Sequence, residues 1–76
     1  MTEIGKKRLE FFESGYALNA VNLGIISPFV FMKFIHYKEY ITFMREGLTS
    51  KEAAERTAQR AKCTLRTVWR SIKYFS

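Results

Sequence analysis

Between Ser27-Pro28 and Gly47 lies a stretch with a start signal at one end and a stop signal at the other. Ser27 offers a capping hydroxyl, and Pro28 stands where a helix loses nothing by lacking an N–H. Gly47 supplies the left-handed residue that commonly closes a helix. A helix from Pro28 to Glu46 is therefore expected. Val30, Phe34, Tyr37, Ile41 and Met44 form one apolar stripe along it. Phe29, Phe31, Ile35 and Phe43 widen the stripe to most of the circumference, and Lys38, Thr42 and Arg45 mark the remaining wet face. A helix apolar on so many sides must be the central strut of its domain or line an interface between copies. In a chain of 76 residues, few elements are left to cover it.

Those elements also read as helices. Thr2 can cap a first helix running to Glu13, with Ile4, Leu9, Phe11 and Phe12 on its apolar side. Gly5 argues against this helix, since Gly costs about 1 kcal/mol relative to Ala in a helix interior. Over Tyr16–Ile26, Leu18, Val21 and Ile25 recur at helical spacing, which favours a short helix over a strand. Thr49 and Glu52 fit a capping box opening a helix over Ser50–Ala61. Ala54, Ala58 and Ala61 make its narrow inward stripe, with Thr57 beside them. Thr64 can cap a last helix, Leu65 to about Phe75, that buries Leu65, Val68, Ile72 and Phe75 and sets Arg66, Arg70 and Lys73 along the opposite edge. The expected fold is all-α: one domain over residues 1–76, a small bundle of four or five helices joined by short connections.

Charge is distributed unevenly over these helices. Residues 49–76 carry seven basic groups against two acidic, and residues 1–48 carry six against five. Nearly all of the net charge of +6 therefore falls on the last two helices, which suggests an anionic partner. Small residues at Ala58 and Ala61 permit close crossing, and Cys63 is an apolar plug in the turn. Arg66, Trp69 and Arg70 lie on the outer side of the last helix, with Trp69 expected to fold down in part over the gap between helices. Ala58, Ala61, Cys63, Thr64, Thr67, Val68 and Arg70 fall on the pattern small-x-x-small-x-apolar-Ser/Thr-x-x-Thr-Val-x-Arg. Over residues 58–72 the chain thus resembles the helix-turn-helix of bacterial and phage DNA-binding regulators of the lac-repressor type. It departs from that family in two places. Lys62 stands where the turn usually has Gly, leaving open a turn of different build. Ser71 followed by Ile72 stands where an aliphatic residue is common, leaving the rotation of the last helix open.

The resemblance implies a scaffold over 1–48 carrying a helix-turn-helix over 49–76, with Thr64, Leu65, Arg66, Trp69 and Arg70 at positions that meet double-stranded DNA. Arg66 suits a bidentate pair to guanine, worth about 1–3 kcal/mol of discrimination, and Arg70 could read a base or clamp a phosphate. Lys62 and Lys73 suit phosphate, and Thr64 and Thr67 can give hydroxyl contacts to the backbone. The alternative for Trp69 is to stack on sugar-phosphate. Arg60, Arg56 and Lys51 could follow a neighbouring strand or pair with Glu52 and Glu55. Lys6, Lys7 and Arg8 could touch phosphate or form a solvated face. The expected role is transcriptional regulation or an accessory role on a mobile element, in a cytoplasmic, nucleoid-associated setting. A homodimer through the helix at 28–46 would place two readers on half-sites about one helical turn apart.

Other classes find little in the residues. The chain has no Asp, and its lone His36 lies on an aromatic helix. Cys63 lacks a Cys or His partner at metal spacing, and no Gly-rich phosphate loop is present. No catalytic residue, metal, cofactor or small-molecule substrate is expected. A single Cys fits a reducing interior. The uncharged run Tyr16–Met32 contains Asn19, Asn22, Gly24 and the Ser27-Pro28 break and is shorter than the ~20 apolar residues of a spanning helix. The competing expectation is a protein-interaction adaptor whose basic helix docks on an acidic partner without reading bases.

Overall fold

The computed structural model describes residues 2–76 and contains five helices: α1 Glu3–Glu13, α2 Tyr16–Asn22, α3 Pro28–Arg45, α4 Ser50–Ala61 and α5 Leu65–Tyr74. No strand occurs among the described residues, so the protein is all-α. Each cap expected from the residues is made. Thr2, Ser27, Thr49 and Thr64 accept from backbone N–H groups of Gly5, Phe29, Glu52 and Thr67, and Glu52 completes the capping box by accepting from the Thr49 N–H at 3.3 Å. Those bonds hold the Glu52 carboxyl below its ordinary pKa, the Thr49 hydroxyl being the main cause.

Three helices end in the same way. Gly24, Gly47 and Lys62 all adopt positive φ, and the next residue's N–H reaches back five positions: Ile25 to Ala20, Leu48 to Phe43 and Cys63 to Ala58. This is the Schellman stop. It shortens the second helix to Asn22, four residues before the expected end at Ile26, and ends α3 at Arg45 with Glu46 as cap.

α3 packs against both α4 and α5, and α1 and α2 also pack on it. Phe75 is the hub of the core. It is fully buried, and the rings of Phe12, Phe34 and Tyr37 lie 5.5, 6.1 and 5.0 Å from it. Most of the expected apolar face of α3 meets the core: Tyr37 is buried, and Val30, Phe31, Phe34, Ile41 and Phe43 are half-buried against it, but the apolar surface reaches less far around the helix than expected. His36 and Tyr40 are buried beside Tyr37, whereas Phe29, Ile35 and Met44 remain exposed together with Met32. The cause is topological. With only α1, α2, α4 and α5 available, the circumference of α3 is not closed, and one edge of its apolar surface is left in solvent.

Gly5 owes its place in α1 to α5. A Cβ there would stand 2.5 Å from the Ser76 carbonyl oxygen and 2.6 Å from that of Phe75. The missing side chain lets α1 lie on the closing turn of the last helix. Thr2 and Arg8 fasten the same contact, donating to the carbonyls of Ser76 and Tyr74 at 2.5 and 3.0 Å.

Candidate nucleic-acid interface

The candidate interface is the outer face of α5 and the turn before it. α4 reaches the turn as a helix with one small-residue face: Ala53, Ala54, Thr57 and Ala58 are buried. Ala61, expected on the inward stripe, is exposed, and Ala53 takes the place in the seam that it was given. Ala61 keeps to the same face of the helix but is its last residue, beyond the packed part of the seam. Thr57 is accommodated by donating its hydroxyl to the Ala53 carbonyl at 2.8 Å, so its polar atom enters the core already paired.

The turn is a Schellman stop with lysine in the glycine position. Lys62 sits at φ 55°, ψ 42°, the one non-glycine residue with positive φ among those described. The question left open by the absence of Gly is thereby answered: the backbone takes the left-handed conformation regardless. That conformation costs a side-chain-bearing residue about 1 kcal/mol. Cys63 is half-buried and packs on the core. Thr64 then caps α5, accepting from the Thr67 N–H at 3.2 Å, and its hydroxyl also meets that of Thr67 at 3.0 Å.

Rotation of α5 is set by Val68 and Ser71, both fully buried. Ser71 occupies the aliphatic slot of the motif, and Ile72 is only half-buried. A serine is tolerated there because its hydroxyl donates to the Thr67 carbonyl at 3.1 Å and faces His36 Nδ1 of α3 at 3.4 Å. With Val68 and Ser71 inward, Arg66, Arg70 and Lys73 are exposed along one edge, at helical spacings of four and three. Trp69 flanks this edge. It is 39% exposed, and its ring makes a T-shaped contact with that of Tyr40 at 6.3 Å between centroids. Tyr40 is in turn fixed by a 2.6 Å hydrogen bond to Ser50. The indole is thus partly seated on a fixed Tyr40 and partly in solvent.

The other candidate residues divide into two groups. Lys62 and Thr64 are exposed at the turn beside Arg66, while Leu65 and Thr67 are half-buried. Thr64 is already used as a cap. Arg60 projects from α4 toward α3, where its Nε lies 3.4 Å from Glu39 Oε1. Its partner comes from α3 instead of from Glu52 or Glu55, because Glu39 and Arg60 face each other across the α3–α4 packing. This pair reduces what Arg60 can offer an external anion. The N-terminal cations split likewise. Lys7 pairs with Glu3 at 3.6 Å, and Arg8 lies over the Tyr74 ring at 4.3 Å.

Two features of the site escaped the sequence reading. One is the His36–Ser71 contact that ties α5 to α3. Its only trace in the sequence is a polar residue at an inward position of an amphipathic helix. The other is the fastening of the end of α5 by α1, for which Gly5 inside a helix was the signal. No family model, curated protein or solved structure matches the chain.

Proposed function

We propose that the protein binds double-stranded DNA through α5, with base reading by Arg66 and Arg70 and backbone contact by Lys62, Thr64 and Lys73, and that it acts as a transcriptional regulator or mobile-element accessory factor. The observation that carries this reading is the outer edge of α5, where Arg66, Arg70 and Lys73 are exposed in line. Among the described residues, none of these three has an ion-pair partner within 4 Å. Three guanidinium and ammonium groups left without carboxylates on a small domain of net charge +6 favour a polyanion. The lysine in the left-handed turn supports the same reading. Glycine would relax the backbone there, and lysine keeps a positive charge beside the start of the reader helix.

One such helix reads few base pairs, so useful specificity calls for two copies. The exposed side of α3, with Phe29, Met32 and Ile35 in a row, is the proposed contact between them. The same row favours a second reading, an adaptor that binds protein through α3 and an acidic partner through α5.

Selection of bound duplexes from a random pool, with sedimentation of the complex to count chains, separates the two. DNA reading predicts a recovered consensus. Arg66→Ala then relaxes one base position in it, at a cost of about 1–3 kcal/mol for the preferred base. Lys73→Ala weakens binding to every duplex alike. A pool that returns no consensus, or variants with equal effects on all sequences, would contradict base reading.

A further inference from the structure

A cleft of about 440 Å³ opens between α1 and the start of α3, on a part of the molecule the proposed DNA contact does not use. We propose that it binds a small amphipathic anion, an apolar body carrying one carboxylate-type head. The volume falls within the range of small-molecule sites. Ile4 and Phe11 of α1 and Ile26 and Val30 across from them form the walls, and the buried ring of Phe12 forms the floor. Ile4 is 65% exposed and Phe11 38% exposed, so occupancy would remove apolar surface that the fold leaves in water.

Among the described residues, the charged side chains that line the cleft are Lys7 and Arg8, both cationic, with the Glu3 carboxylate beside Lys7. Arg8 is held in place by stacking on the Tyr74 ring and by one N–H donated to the Tyr74 carbonyl at 3.0 Å. A guanidinium has five N–H donors, so others remain for an incoming oxyanion, and the group is already oriented before binding. Lys7 is held only by the exposed pair with Glu3 at 3.6 Å, an interaction of the weak kind that a ligand head can displace. An apolar trough with a fixed guanidinium and a loosely paired ammonium complements a chain or ring ending in an anion. It does not complement a cationic or uncharged polar ligand.

The test uses dodecanoate below its micellar range, followed by NMR amide shifts and by calorimetry on the whole chain. Dodecyltrimethylammonium supplies the same body with the opposite charge, and butyrate supplies the head with almost no body. Dodecanoate should bind with a Kd of about 1 mM or tighter and shift the amides of Ile4, Arg8, Phe11, Ile26, Val30 and Tyr74. The two comparison ligands should bind at least about tenfold more weakly. Arg8→Gln and Ile4→Glu should each weaken dodecanoate by about tenfold or more. Both side chains are exposed, so folding can be verified by circular dichroism. Arg45→Gln, a charge removed from the far end of α3, should leave binding unchanged. Equal binding of the cationic amphiphile, or an equal loss on Arg45→Gln, would overturn the assignment. So would shifts spread over the basic face of α5. Cleft shifts that appear on raising protein concentration without ligand would assign the trough to a second copy and overturn it as well.

Discussion

Two residues carry tension that can be measured. Lys62 holds a left-handed backbone conformation at the turn between α4 and α5. Lys62→Gly should stabilise the fold by about 1 kcal/mol, raising Tm by about 4–8 °C for a domain of this size, while weakening DNA binding through loss of the charge. Thermal unfolding beside a binding titration checks both signs. His36 is buried against Ser71, and burial is the main cause of its pKa falling below the ordinary 6.5; Lys33 adds to the shift and Glu39 opposes it. A histidine whose folded pKa is lowered binds fewer protons folded than unfolded. Its contribution to stability is therefore complete above about pH 6.5, declines as pH falls through that value, and levels off below the lowered folded pKa. Urea midpoints measured from pH 8 to pH 5 should fall across that window, and the fall should shrink in His36→Gln.

The helices were legible because their ends are chemically marked. Thr2, Ser27-Pro28, Thr49 with Glu52, and Thr64 each name a first turn, and Gly47 names a last one. Local hydrogen bonds decide such boundaries, so local residues reveal them. Which face each helix buries depends on partners distant in sequence, and there the reading was partial. Val68 and Phe75 are buried as their spacing indicates, but Ala61 is not, and α3 hides His36 while exposing Phe29. Gly5 shows the limit most clearly. By helix propensity alone, Gly5→Ala should stabilise α1 by about 1 kcal/mol. The carbonyls of Phe75 and Ser76, 2.6 and 2.5 Å from the added carbon, reverse the sign. Gly5→Ala should cost about 1–3 kcal/mol and loosen the end of α5, as urea unfolding would show.

At the scale of the whole molecule, the chain separates its chemistry by region. α1 and α2 pack on the strut, α1 fastens the end of the last helix, and the exposed apolar surface lies mainly on α1, α2 and the first half of α3. Most of the net positive charge lies on α4, the turn and α5. Among the described residues, no helix is long and apolar enough to cross a membrane. If α5 is the reader, a polyanion should meet one side of the molecule and leave the other untouched. The direct measurement is an NMR map of backbone amides as a selected duplex is added. Shifts and broadening are expected at Lys62 and from Thr64 to Lys73, with Tyr16–Asn22 of α2 silent. Shifts centred on α1 and α2, or on Phe29–Ile35 with Arg66 and Arg70 unmoved, would contradict it.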